Sequence, residues 1–116
     1  MARTATTTDI FSAVAEPVRR RLLDALAGGE QPVNDLVAQL GLTQPQGSKH
    51  LRVLREVGAV DVRSDGRQRI YRINPAALRP VETWLAALTQ TWNERFDAID
   101  TVLDDLKRHE GADRHA

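Results

Sequence analysis

The chain has 116 residues, enough for one compact domain with a single core, and it contains no cysteine. Disulfides, thiolate metal sites and cysteine nucleophiles are therefore excluded. The 16 basic and 16 acidic residues give a formal net charge of zero, so only the distribution of charge along the chain can indicate a partner.

The first ten residues are threonine-rich and lack the apolar core of an export signal. No apolar run approaches the ~20 residues that a membrane span needs. We therefore expect a cytoplasmic protein.

The chain begins with two predicted helices. Ile10, Phe11 and Val14 indicate a first helix of about two turns. A second helix starts at Pro17, where the missing N–H costs nothing, and ends at Gly28, because glycine accepts the left-handed conformation that closes a helix.

The next two helices form a predicted helix-turn-helix. A third helix runs from about Val33 to Leu40. After the turn, Thr43 and Gln46 have the spacing of a capping box, which predicts the start of a fourth helix. This helix covers residues 44–57 and has the place of a recognition helix.

Beyond Gly58 the spacing of apolar residues changes from helical to alternating. Two short β-prone runs within residues 60–73 flank Asp65-Gly66, a strong hairpin signal. This predicted wing carries four arginines: Arg63, Arg67, Arg69 and Arg72.

A long helix follows the wing. Asn74-Pro75 opens the last helical region, and Pro80 restarts or kinks it. From Leu85 onward, apolar residues recur every three or four positions and form a narrow, continuous stripe. Its members are Leu85, Leu88, Trp92, Phe96, Ile99, Leu103 and Leu106.

The order of elements predicts a mainly α fold with a β-hairpin (α+β), a winged helix-turn-helix. We assign residues 10–109 to a single domain, with the dimerisation helix over 80–109. Residues 1–9 are expected to be a flexible N-terminus, and 110–116 a frayed tail.

The charges are unevenly distributed along this fold. Residues 44–73 carry seven positive and three negative side chains, whereas residues 82–113 carry three positive and eight negative ones. One part of the molecule can therefore attract phosphate while the other does not.

Four segments occur in the order found in a known family: AEPVRR (15–20), LTQP (42–45), SKHLRVLREVG (48–58) and DGRQRIYRINP (65–75). With them, the chain from Phe11 to Asn74 resembles the ArsR/SmtB family of bacterial repressors. The resemblance implies a homodimer that occupies an operator and is released by an inducer.

The sequence departs from the family pattern at two places. Pro32 and Asn34 stand where the arsenic sensors of the family carry thiolate ligands, so that metal site is absent. Gly47 replaces the usual Val or Ile. Because glycine inside a helix costs about 1 kcal/mol relative to alanine, we expect the recognition helix to be soft until DNA orders it.

The outward face of the fourth helix is predicted to read the major groove, since Gly47, Leu51 and Leu54 face inward. The predicted DNA contacts are Gln44, Gln46, Ser48 and Lys49 toward bases, Pro45 on the same face, Arg52 toward phosphate, Arg67 and Arg69 from the wing, and Arg20 from the second helix. The alternatives are an ordinary polar helix face and a charged edge that prevents strand association. His50 is assigned a structural role.

The apolar stripe extends about 15 Å beyond what one small domain can cover, at 1.5 Å per residue. We therefore predict a homodimer through the first and last helices. The predicted interface residues are Ile10, Phe11, Val14, Leu85, Leu88, Trp92, Phe96, Ile99 and Leu103. Such a dimer fits an inverted-repeat operator with half-sites about one DNA turn apart.

Three alternatives remain at this point. A metal-responsive repressor would use His109, Glu110, Asp113 and His115 near the C-terminus, although we expect no bound metal or cofactor. A winged helix used for protein assembly would present an apolar or acidic recognition face. Trp84 and Trp92 could line an inducer pocket, but they fit a dimer core better. No nucleophile triad or glycine-rich phosphate loop indicates an enzyme.

Overall fold

The computed structural model describes residues 9–114, with side chains for residues 9–110. Its helices and strands are α1 (Ile10–Ala15), α2 (Pro17–Ala27), β1 (Gln31–Pro32), α3 (Val33–Leu40), α4 (Gln44–Glu56), β2 (Val60–Asp65), β3 (Gln68–Ile73) and α5 (Arg79–Arg114), with a 3-10 turn at Pro75–Leu78. This order confirms the predicted winged helix-turn-helix. The N-terminal segment proposed for residues 1–9 lies, except for Asp9, outside the described residues.

The chain divides into two compact units, one up to Val81 and one from Glu82. The assignment of residues 10–109 to a single domain stays a prediction. A helix segment from Glu82 onward has no second element of its own with which to form a core.

The sheet of the first unit is antiparallel, with strand order β1-β3-β2. β2 pairs with β3 from Val60 opposite Ile73 to Asp65 opposite Gln68, which is the predicted hairpin. The third strand, β1, pairs Gln31 with Tyr71. Sequence reasoning missed β1 because a two-residue strand has no alternating pattern to recognise.

The core of the first unit receives side chains from almost every element. Leu22 and Leu26 come from α2, Leu36 from α3, and Leu51 and Leu54 from α4, and all five are essentially inaccessible to solvent. Packing of α4 on this core fixes which of its faces remains outside.

Ile10 was predicted in the dimer interface, and that contact stays a prediction; within its own chain Ile10 packs on the core. Its side chain is 9% exposed and belongs to the core cluster, together with Ala13. Val14 is partly buried against the same cluster. Because α1 has only six residues, its apolar positions are mostly used by the core of its own chain, and Phe11 is the exposed one at 41%.

The second unit is the part of α5 from Glu82 onward. Every described side chain from Glu82 to Glu110 is exposed, and the predicted apolar stripe lies on this surface. The helix continues to Arg114, past the expected end at residue 109, because one glycine at position 111 weakens a helix without necessarily ending it. Within residues 9–114, no helix is both long and apolar enough to cross a lipid bilayer.

Candidate nucleic-acid interface

The N-terminus of α4 is built by the predicted capping box. The Thr43 hydroxyl accepts a hydrogen bond from the Gln46 backbone N–H at 3.3 Å, and Gln46 Oε1 accepts one from the Thr43 backbone N–H at 2.9 Å. These two bonds satisfy donors that a helix start otherwise leaves open. The side-chain oxygen of Gln46 is therefore used by the cap. The side-chain NH₂ group is the part of Gln46 that can contact a base.

A groove between α4 and the sheet collects most of the predicted DNA-contacting residues. It is lined by Val33, Gln44, Pro45, Ser48, Lys49, Arg52, Arg55, Arg69 and Tyr71. Five of the predicted α4 residues and one wing arginine thus share one surface. Val33 and Tyr71 were not predicted, because they come near α4 only in the folded domain. Arg55 was also missed, although it follows Arg52 by three residues on the same helix and the spacing could have indicated it.

The charge of this groove is one-sided. Four of its lining residues are cationic: Lys49, Arg52, Arg55 and Arg69. None of the lining residues is acidic. Glu56 partly neutralises the charge of Arg52, from which it lies 3.8 Å away, and both side chains are exposed. An exposed i,i+4 ion pair of this kind contributes only about 0.3–0.5 kcal/mol. The groove therefore attracts anions.

Two of the four wing arginines form ion pairs with acidic side chains of the domain. Arg63 donates to Glu30 at 2.7 Å, and Arg72 lies 3.5 Å from Asp61. The hydrogen bond from Arg63 holds the pKa of Glu30 below its ordinary value of 4.5. Arg69 lines the groove. Arg67, beside Gly66 at the hairpin turn, is not among the groove residues.

Arg20 lies elsewhere. One nitrogen of its guanidinium donates to the carbonyls of Val14 and Ala15, at 2.8 and 3.0 Å. These carbonyls end α1, and helices leave their last carbonyls unsatisfied. The structure thus gives Arg20 a capping role, and the predicted phosphate contact stays a prediction.

Gly47 is buried at the contact between α3 and α4. A Cβ atom placed there would overlap Cγ1 of Val37 and lie 3.6 Å from its Cβ. Glycine is therefore required by the close approach of the two helices. This packing reason was invisible in the sequence, where Gly47 indicated only a soft helix.

The metal-binding alternative gains no support from the described side chains. Among residues 9–110, no three His, Asp or Glu side chains come close enough together to hold an ion. Of the cluster considered near the C-terminus, the Asp113 side chain and the whole of His115 lie outside the described residues.

Trp92 contacts Phe96 edge to face at 5.0 Å between ring centroids.

Comparison with known proteins agrees with this geometry. A sequence family described as a helix-turn-helix domain matches residues 14–63. The transcriptional repressor SdpR of Bacillus subtilis is 27% identical over 77 residues, which cover 66% of this chain and 86% of SdpR.

Two solved structures are also similar. The ArsR family transcriptional regulator RHA00566 is 32% identical with a TM-score of 0.65, covering 72% of this chain and 92% of that one. The homodimeric winged helix-turn-helix DNA-binding domain of Mb0332 from Mycobacterium bovis is 30% identical with a TM-score of 0.56, covering 72% and 74%.

Proposed function

The chain belongs to the ArsR/SmtB family of winged helix-turn-helix transcriptional regulators, and we propose that it represses transcription as a homodimer bound to an inverted-repeat operator. Its relative SdpR is a transcriptional repressor. We further propose that an inducer releases the protein from its operator or that the protein regulates its own gene. The family's thiolate site is absent, since Pro32 and Asn34 provide no thiolate. DNA as the partner implies action in the cytoplasm.

The observation that carries the proposal is the cationic groove between α4 and β3. A helix enters the major groove with its N-terminal turns at the base edges. Gln44, Ser48 and Lys49 occupy those turns and line the groove. Arg52 and Arg69, farther along the same surface, are suited to the phosphates that flank the bases.

We assign a role to each of these side chains. Gln44 suits adenine, and the amide NH₂ of Gln46, which can only donate, suits an acceptor such as purine N7. Ser48 suits several base edges, and Lys49 suits guanine or phosphate. Arg67 at the hairpin turn is proposed to reach the sugar-phosphate backbone or the minor groove.

The proposed dimer rests on the exposed stripe of α5. The side chains of its predicted members are between 47% and 56% exposed in Leu85, Leu88, Trp92, Phe96, Ile99 and Leu103. Contiguous apolar surface of this kind marks an interaction site. The homodimeric relative from Mycobacterium bovis favours a second copy of this chain as the partner, with Phe11 of α1 as a further contact.

The DNA-binding proposal is tested by footprinting the DNA upstream of the protein's own gene, followed by titration of the protected duplex. We expect Lys49→Ala and Arg52→Ala to weaken binding. Each lost phosphate contact should also lower the slope of log K against log salt by ~0.9. Lys107→Ala, which removes one positive charge from α5, is the matched control and should leave binding unchanged.

Two outcomes contradict this assignment. Equal losses in Lys107→Ala and Lys49→Ala would show that only total charge matters. Binding by the unaltered protein that ignores DNA sequence and salt would remove the basis for an operator altogether.

The dimer is tested by sedimentation equilibrium at micromolar concentration. Phe96→Lys places a charge within the stripe and should give monomers. Thr101→Lys adds the same charge on the opposite side of α5 and should leave the dimer intact. A monomeric unaltered protein, or a dimeric Phe96→Lys variant, would contradict the proposed interface.

A further inference from the structure

Apolar packing fixes which face of α4 is buried, and Gly47, Leu51 and Leu54 lie on that face. The attraction between apolar surfaces is itself non-directional. Hydrogen bonds have strict distance and angle requirements. A polar contact between α4 and its neighbours would therefore restrict the direction in which the reading face points.

Arg19 on α2 makes such a contact. Its Nε donates to the Ala13 carbonyl at 2.7 Å, and Nη2 donates to the Ser12 carbonyl at 3.2 Å. Both carbonyls belong to α1. The remaining nitrogen, Nη1, lies 3.4 Å from Nδ1 of His50 on α4. One partly buried guanidinium thus connects three helices.

His50 completes the arrangement from the side of α4. Its side chain is 18% exposed, and Nδ1 also lies 3.7 Å from Oε2 of Glu16. Glu16 is the N-cap of α2 and accepts a hydrogen bond from the Arg19 backbone N–H at 2.9 Å. Because arginine can only donate, a hydrogen bond from Arg19 to His50 requires the tautomer in which Nδ1 carries no proton.

Simple capping of α1 does not explain this geometry. Arg20 already donates to the carbonyls of Val14 and Ala15 at the end of α1. Arg19 adds a direct contact to α4, and His50 is the immediate neighbour of Lys49 in the groove-lining turn. The polar contact therefore lies one residue from the proposed base-reading side chains.

We propose that Arg19 and His50 are positioning residues for DNA recognition, which hold α4 in the orientation that its reading face requires. The inference rests on the proposed function but assigns these residues a role without contact to DNA. A small displacement of α4 would weaken specific contacts, whose strength depends on geometry. Non-specific attraction to phosphate would remain, since it depends mainly on charge.

The experiment uses the full chain and two duplexes of equal length, one with the footprinted site and one with its scrambled sequence. The variants are Arg19→Lys and His50→Leu. Arg19→Lys keeps the charge but has one nitrogen in place of the three that reach separate acceptors, and His50→Leu removes the acceptor on α4. His50→Asn retains an oxygen acceptor near the place of Nδ1. Arg21→Lys is the matched control, because Arg21 on the same helix contacts the Leu40 carbonyl of α3 at 3.4 Å.

We expect Arg19→Lys and His50→Leu to bind the specific duplex about tenfold more weakly, a loss of roughly 1.4 kcal/mol. Affinity for the scrambled duplex and the salt slope should stay the same. His50→Asn should recover most of the affinity, and Arg21→Lys should behave as the unaltered protein. Circular dichroism and urea midpoints confirm that the compared variants are folded.

Several results would overturn the inference. A salt slope lowered by ~0.9 in His50→Leu would indicate a direct phosphate contact. An unchanged affinity with a lowered urea midpoint would indicate a purely structural role. If His50→Leu fails to fold, Arg19→Lys decides between these readings. Absence of specific binding by the unaltered protein would instead refute the proposed function, and this inference with it.

Discussion

The contact between Gly47 and Val37 gives a stability prediction whose sign depends on a neighbouring residue. A methyl group at position 47 would overlap Cγ1 of Val37. Val37 is 8% exposed, and its β-branched side chain is restricted to nearly one rotamer in a helix. It cannot move aside without a shift of α3 against α4.

Two opposing terms set the magnitude for Gly47→Ala. Alanine gains about 1 kcal/mol over glycine within a helix. Overpacking of a close contact costs about 1–3 kcal/mol. The net expectation is a loss of about 1 kcal/mol in the free energy of unfolding.

The Val37→Ala background removes the overlapping methyl and should reverse the sign. There, Gly47→Ala should stabilise the protein by up to about 1 kcal/mol, because only the helix-propensity gain remains. The two positions should thus be coupled by about 2 kcal/mol, within the range found for residues in contact.

Urea unfolding of the four proteins, at one protomer concentration because any dimerisation adds to stability, measures this coupling. The result that would refute the reasoning is a stabilising Gly47→Ala in the unaltered background. The same applies if the effect of Gly47→Ala is equal in both backgrounds. Either outcome would mean that the helices do not approach closely at residue 47.

Two further predictions concern the cap of α4 and the base of the wing. Thr43→Ala should lower the free energy of unfolding by about 1 kcal/mol, whereas Thr43→Ser keeps a hydroxyl acceptor and should lose less; equal losses in urea unfolding would contradict the capping role. Because Arg63 lowers the pKa of Glu30 below 4.5 in the folded protein, the ionised pair stabilises the fold above the unfolded-state pKa, and this contribution is lost as the pH falls through the folded-state pKa. Glu30→Gln should therefore flatten the fall of Tm between about pH 5 and 3, most clearly at low salt, and identical acid limbs would refute the pairing.

Local signals in the sequence predicted most of the fold. The capping box of Thr43 and Gln46 and the Asp65-Gly66 turn act within a few residues, and both were found where expected. Gly28 follows α2 as expected, but in a right-handed and not a left-handed conformation. The two-residue β1 was missed, because it exists only through its pairing with β3. The burial of Ile10 in the core of its own chain was not foreseen, since helical periodicity shows which residues are apolar but not which partner buries them.

The candidate site was predictable along α4 and less so elsewhere. Its reading face follows from three inward residues on one helix, and most of the predicted α4 residues line the groove. The hydrogen bonds from Arg20 to the last carbonyls of α1 were not predicted, because the sequence does not show which side chain reaches a helix end. The role of Gly47 follows only from its contact with Val37 on α3, which the sequence does not show.

The net charge of zero is a poor guide to this surface, because what matters is which charges are already paired. In the sequence, the four wing arginines alternate and look equivalent. In the structure, Arg63 is held by Glu30, 33 residues away along the chain, and Arg72 by Asp61. An acidic neighbour lowers the positive potential around Arg63 and Arg72, as Glu56 does around Arg52, although exposed pairs of this kind are weak. Arg69 instead joins three cations from α4 in a groove that has no acidic lining residue, so the field that phosphate meets there is positive although the whole chain is neutral.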